Sequence, residues 1–129
     1  SFYNPHGLPH NPPNITTARD LAILARAVQE RFPRYYPLFS TRTFNYAGGA
    51  YRNHNKLLGR VEGADGIKTG YTRAAGGCLA ASAIRDNHEL IVIIMHSRDM
   101  DSRFTEAAQL LDYGFSLIKK EPSSDKKKA

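Results

Sequence analysis

The stretch that decides the fold is Asp65-Gly66-Ile67-Lys68-Thr69-Gly70-Tyr71-Thr72. Gly63 to Gly66 is typical of a turn, and Ile67 to Thr72 is predicted to be a strand. Within that strand, Gly70 lets another backbone approach closely. Thr69 offers a hydroxyl to a carboxylate, and Lys68 offers positive charge to a nucleophile and an anionic substrate. The triplet alone is a weak signal, because an ordinary exposed strand also carries such residues.

Two more strands are predicted after this one, Cys78 to Arg85 and Glu89 to His96. Ala74 to Gly77 is predicted to be the turn before them, and Asp86-Asn87-His88 joins them. The run from Leu90 to Met95 is apolar throughout, which is typical of a central strand covered on both faces.

Helical patterns flank the strands. Thr16 or Thr17 is predicted to cap a helix that runs to about Phe32, with Asp20 in its first turn. A second helix is predicted from Arg103 to Ile118, capped by Asp99, Asp101 or Ser102.

A short helical turn is predicted over residues 34–40, followed by a hairpin of residues 41–46 and 50–55 around Gly48-Gly49. The whole pattern predicts an α/β fold of the α+β type, an antiparallel sheet packed by helices. Residues 1–120 form one domain in this prediction, and residues 121–129 form a disordered basic tail.

Composition excludes several kinds of function. The formal net charge is +6, but much of the excess lies in the C-terminal tail and arginines are scattered, so no nucleic acid partner is predicted. Cys78 is the only cysteine, so no intrachain disulfide forms. His6 and His10 are four apart, but Pro5 and Pro9 disfavour the helix that would align them, so neither a metal nor a cofactor is predicted. No apolar stretch is long enough to span a membrane.

Further segments flank the strand in a specific order and spacing: Asn4-Pro5-His6-Gly7-Leu8, Thr16 to Ala22, Asn53-His54-Asn55-Lys56-Leu57-Leu58, Ala75-Gly76, Leu79 to Ala83, and Leu110 to Phe115. With them, the chain resembles the D-alanyl-D-alanine carboxypeptidases, which are low-molecular-mass penicillin-binding proteins of the serine peptidase type. The resemblance covers nearly everything before the tail.

The resemblance implies a partial β-lactamase/transpeptidase-like fold and an acyl-enzyme mechanism that trims peptidoglycan stem peptides. It implies binding of β-lactams by the intact protein, and a periplasmic or extracytoplasmic location in a bacterium. Carried over by position, Lys68 gives electrostatic support, Thr69 binds the substrate's terminal carboxylate and Gly70 permits strand-like docking. Arg103 is nominated as a second carboxylate anchor; the alternative is a surface arginine in the first turn of a helix.

The chain departs from the family pattern in one serious respect. The family's Ser-x-x-Lys nucleophile motif precedes all the matching segments, whereas Ser116 to Lys119 and Ser123 to Lys126 follow them and are interpreted as chance matches. No Ser-x-Asn motif occurs. We therefore interpret the chain as the C-terminal part of a catalytic domain, inactive alone, whose partner is the missing N-terminal part or a second copy. Two alternatives stay open, part of a β-lactamase and a non-catalytic binding or assembly module.

Overall fold

A computed structural model describes residues 1–120, and the predicted tail lies outside them. The elements in chain order are α1 (Ala18–Arg31), a 3-10 helix (Tyr36–Ser40), β1 (Thr43–Tyr46), β2 (Gly49–Arg52), β3 (Ala64–Thr72), β4 (Gly76–Arg85), β5 (His88–Ser97) and α2 (Ser102–Lys120). The predicted fold class, an antiparallel sheet packed by helices, is confirmed.

Both predicted helices form, and their caps explain where they begin. The Thr17 hydroxyl accepts a hydrogen bond from the Asp20 N–H at 3.1 Å. Ahead of α2, the Asp99 carboxylate accepts hydrogen bonds from the backbone N–H groups of Asp101 and Ser102 at 2.9 and 2.7 Å. A hydrogen bond from the Ser102 hydroxyl, together with these two backbone bonds, lowers the pKa of Asp99 to about 2. The predicted helical turn after α1 is the 3-10 helix.

The observed ends of the strands differ from the predicted ends at each glycine-containing segment that was predicted to be a turn. The β1–β2 turn is Ala47-Gly48, both with positive φ, and Gly49 already pairs with Tyr46. Strand β3 begins at Ala64, which pairs with Ala83 ahead of a bulge. Strand β4 begins at Gly76. In each case the strand continues because its glycines still pair across the ladder.

Both helices contact the apolar strand β5. Within the described residues the sheet has the order β3-β4-β5, which places β5 at an edge of these three strands, so its central position in a larger sheet stays a prediction. All neighbours are antiparallel, with Thr69 opposite Leu79 and Ala81 opposite Val92.

The core lies between the sheet and α2. Alternate residues of β4 and β5 pack against one face of the helix, and the buried members are Leu57, Leu79, Ala81, Ala83, Ile94, Phe104, Ala107, Leu111 and Phe115. Helix α1 contacts β5 and β4 without contributing to this cluster, so it lies on the other face of the sheet. The sheet therefore separates two helical layers. Strands β3 and β5 form its two edges within the described residues.

None of the helices within residues 1–120 is both long enough and apolar enough to cross a bilayer.

We predict that the outer edge of β5 pairs with another strand, because no strand among the described residues covers it and its backbone groups are left without a ladder. The partner is a preceding part of the same protein or, for this chain alone, a second copy. Light scattering of the 129-residue chain should then give a mass above that of a monomer. Met95→Lys places a charge on this edge strand and should lower that mass.

Met100→Lys is the matched control, since Met100 is similarly exposed but lies outside the sheet. A monomer at all concentrations, or equal effects of the two substitutions, would contradict pairing through β5.

Candidate active site

The Lys68-Thr69-Gly70 triplet lies on β3, at an edge of the sheet. On one side the three residues face Ala80, Leu79 and Cys78 of β4. Lys68 and Gly70 are exposed and Thr69 is half-buried. The Lys68 ammonium donates to the Thr69 carbonyl, and no carboxylate of residues 1–120 forms a salt bridge with it. The triplet therefore presents a cation, a hydroxyl and an open stretch of backbone to whatever lies beside β3.

Gly70 is not required by packing within the described structure. A Cβ added there would meet nothing closer than the Cys78 Cβ at 4.0 Å, and the residue's φ is not positive. Gly66 on the same strand differs, since a Cβ there would lie 2.9 Å from the Ser82 hydroxyl. The missing side chain at Gly70 thus leaves room on the exposed side of the strand.

The structure brings Arg103 to the triplet, in a setting the sequence did not suggest. Arg103 is 4% exposed, so it is not the surface arginine of the alternative interpretation. Its Nη1 donates to the carbonyls of Gly70 at 2.7 Å and Cys78 at 3.2 Å, which ties α2 to both β3 and β4. The guanidinium also lies over the Phe104 ring, 4.9 Å from its centre. Contact between Arg103 and a substrate carboxylate stays a prediction.

A chain of hydrogen bonds supports the start of β3 from the face opposite α2. The Tyr36 hydroxyl donates to the Ser82 hydroxyl at 2.8 Å, and Ser82 donates to the Asp65 carboxylate at 2.6 Å. Burial, with the nearby charges of Asp65 and Glu89, raises the pKa of Tyr36 to about 12. Burial and the Asp65 charge also raise the pKa of Glu89. This network fixes the side chain of Asp65, which precedes Lys68 by three residues on β3.

Asn55 fixes the same part of β3 from the loop before it. This side chain is 4% exposed. Its amide nitrogen donates to the Gly66 carbonyl at 2.9 Å, and its oxygen accepts from the Leu57 N–H at 3.1 Å. From the sequence, Asn55 and Ser82 were recognised only as parts of matching segments, and Tyr36 was not recognised as a site residue. No local pattern links Tyr36 to Ser82, because 46 residues separate them.

The formal Ser-x-x-Lys match at Ser116 lies within α2. The Ser116 hydroxyl donates to the Tyr113 carbonyl of its own helix at 2.7 Å. The match at Ser123 lies outside the described residues. Within residues 1–120, no cluster of histidine, cysteine or carboxylate side chains has the arrangement of a metal site.

Two clefts lie on either side of the N-terminus of α2. The larger, of about 630 Å³, is lined in part by Arg103, and the smaller, of about 460 Å³, by Tyr71. Neither is lined by Lys68, Thr69 or Gly70. The triplet therefore lies outside both clefts, on the edge of β3 that no other strand of residues 1–120 covers.

A family model matches most of the chain. Residues 1–99 match the family model described as D-alanyl-D-alanine carboxypeptidase. The chain belongs to this family. Among curated relatives, it is 36% identical over 114 residues to the D-alanyl-D-alanine carboxypeptidase DacD of Escherichia coli, covering 88% of this chain and 29% of DacD. The chain thus spans less than a third of the length of that relative.

Solved structures agree with the family assignment. Penicillin-binding protein D2 of Listeria monocytogenes, in its cefotaxime-bound form, superposes with a TM-score of 0.84 at 29% identity, over 89% of this chain and 47% of that one. Penicillin-binding protein 5 of Haemophilus influenzae gives 0.82 at 34% identity, over 89% of this chain and 34% of that one. These neighbours confirm that the fold is that of penicillin-binding proteins.

The Tyr36 hydrogen bond leads to a prediction about stability and pH. The raised pKa means that folded Tyr36 stays protonated while unfolded Tyr36 ionises near its ordinary value of 10.0. The contribution of Tyr36 to the free energy of unfolding should therefore be constant below about pH 10 and should fall as pH rises towards 12. Tyr36→Phe should flatten this fall, and should cost about 0.5–1.5 kcal/mol at neutral pH through loss of the hydrogen bond to Ser82.

Denaturant unfolding at a series of pH values measures both effects. The matched control is Tyr35→Phe, because the neighbouring Tyr35 is 59% exposed. The network would have no role in stability if the two variants behaved alike.

Proposed function

We propose that this chain is the C-terminal part of the catalytic domain of a serine-type D-Ala-D-Ala carboxypeptidase, which trims peptidoglycan stem peptides through an acyl-enzyme. The observation that carries the proposal is the Lys68-Thr69-Gly70 triplet on an open edge strand of a family member. A structural neighbour that contains cefotaxime supports β-lactams as ligands of the intact protein.

Each residue of the triplet has a role that its position supports. The exposed Lys68 ammonium stabilises negative charge on the nucleophile and substrate. The Thr69 hydroxyl donates to the terminal carboxylate of the substrate. The open backbone at Gly70 lets the peptide lie beside β3 as an added strand.

Arg103 acts on the same carboxylate as a second anchor in this proposal. Its Nη1 is occupied by the Gly70 and Cys78 carbonyls, and no hydrogen bond of the described residues uses Nη2. The group that remains for the substrate is therefore Nη2. Because the same guanidinium donates to the Gly70 carbonyl of β3, this bond also fixes the distance between the Thr69 hydroxyl and the positive charge of Arg103.

The nucleophile comes from a part of the protein before this chain. We propose that this part also covers the open edge of β5, and that the intact protein acts in the periplasm or elsewhere outside the cytoplasmic membrane of a bacterium. No cofactor and no nucleic acid enter the proposal. The matched family favours a carboxypeptidase over a β-lactamase.

The 129-residue chain should form no covalent adduct with a fluorescent penicillin, because we assign no acylating serine to it. Intact mass spectrometry after incubation with the penicillin measures this. The full-length protein is the positive control and should carry one adduct. A stoichiometric adduct on the chain itself would place the nucleophile here and make Ser116 and Ser123 the candidates. A full-length protein without an adduct would favour the non-catalytic module.

In the full-length protein, Thr69→Val should lower kcat/KM for peptides that end in a free carboxylate. Loss of one charge-assisted hydrogen bond corresponds to about 1.5–3 kcal/mol, or roughly ten- to a hundredfold. The same substitution should have little further effect on a peptide whose terminal carboxylate is amidated. Steady-state kinetics on the two peptides measures the difference.

Thr105→Val is the matched control, since Thr105 is exposed on α2 outside both clefts. Arg103→Ala is expected to lower the activity on both peptides, because it also removes the bonds to the Gly70 and Cys78 carbonyls. Equal losses for Thr69→Val on both peptides would make Thr69 a structural residue and end its role as an anchor.

A further inference from the structure

The larger cleft is strongly basic. It lies between the β1–β2 hairpin, the loop that follows it and the start of α2, and encloses about 630 Å³. Among its lining residues are five cations and a single carboxylate, that of Asp101: the cations are Arg42, Arg52, Lys56, Arg60 and Arg103. We call this the basic cleft. It is separate from the Lys68-Thr69-Gly70 edge, none of whose residues line it.

Most of this positive charge has no counter-charge in the described part of the chain. Lys56 forms a salt bridge with Asp101 at 2.5 Å, which uses the only carboxylate of the basic cleft. Within residues 1–120, Arg42, Arg52 and Arg60 form no salt bridge. Like charges around one concavity repel each other and create a positive potential that attracts anions. The arrangement therefore favours occupation by an anion.

The guanidinium of Arg42 lies in space that a glycine leaves open. Gly59 has a φ of +78°, and a Cβ there would lie 2.5 Å from the guanidinium carbon of Arg42. Any other residue at position 59 would displace that side chain. Gly59 thus provides the space in which the Arg42 guanidinium lies against the loop.

Arg103 forms the buried end of the basic cleft. It is 4% exposed, its charge has no carboxylate partner among the described residues, and its Nε is buried without a hydrogen-bond partner. A buried cation held only by backbone carbonyls and the Phe104 ring is poorly compensated. An anion in the basic cleft would supply the missing negative charge.

We propose that the basic cleft is a binding site for a phosphate-bearing anion, held chiefly by Arg42, Arg52 and Arg60. Guanidinium groups bind phosphate oxygens in pairs of parallel hydrogen bonds, and several of them suit a ligand with dense charge. The phosphate belongs either to a soluble compound or to the headgroup of an anionic lipid. The proposal does not depend on acyl transfer, although the basic cleft shares Arg103 with the proposed substrate site.

Titration of the full-length protein with pyrophosphate, followed by calorimetry and by NMR, tests the proposal. Saturable binding should shift the amide signals of the hairpin, of the loop and of the start of α2. Combined Arg42→Gln, Arg52→Gln and Arg60→Gln substitution should weaken it at least tenfold. The matched control replaces Arg19, Arg31 and Arg34 by glutamine; it removes the same charge from exposed positions outside the cleft and should change the affinity less than twofold.

Citrate carries about the same charge as pyrophosphate near neutral pH and tests for phosphate itself. Tighter binding of citrate would overturn the assignment, as would the absence of saturable binding or equal losses in the two triple variants. Circular dichroism checks folding, and the single Arg52→Gln variant replaces the triple one if that does not fold. Vesicles with and without phosphatidylglycerol separate the sources. If the protein binds the phosphatidylglycerol vesicles and the cleft variant does not, the ligand is a lipid headgroup. If the protein binds pyrophosphate but not the vesicles, the ligand is a soluble phosphate compound.

Discussion

Helix α2 buries its apolar face on β4, and this contact holds the sheet in the position that presents β3. Leu79 of β4 and Leu111 of α2 are both within 2% of complete burial. Burial of large aliphatic side chains stabilises a domain by about 1.5–3 kcal/mol each, so such contacts dominate a core of this size. Because β4 is the only strand that pairs with β3 within the described residues, the position of β3 relative to α2 is determined through this core, together with the bond from Arg103 to the Gly70 carbonyl.

Much of the fold could be predicted because its signals are local. The period of apolar residues gave both helices, and Thr17 and Asp20 marked the start of α1 through a cap that the structure contains. Turns failed where glycine was involved, since Gly49, Gly66 and Gly76 stay within the ladder. A glycine relieves steric restrictions, but it ends a strand only when the backbone conformation changes.

The candidate site was predictable only in part, because its support is long-range. The Lys68-Thr69-Gly70 triplet is contiguous and was found. Arg103 was nominated from the resemblance, whereas its bonds to two strand carbonyls follow from the docking of α2, which no spacing in the sequence encodes. The Tyr36–Ser82–Asp65 network and the clustering of the cleft arginines likewise depend on how separate elements meet.

Arg103 connects the two sites that we propose. A single guanidinium reaches the Gly70 carbonyl on β3 and lines the basic cleft. Charge placed in the cleft would stabilise the guanidinium in its present position and so stabilise its bonds to β3. Coupling of this kind is reciprocal, since binding that fixes β3 must favour anion binding in the cleft by the same factor. Arg103 is thus a residue through which an anion in the cleft would act on the strand that carries the triplet, and Asn55, which also lines the cleft and donates to the Gly66 carbonyl of β3, is another.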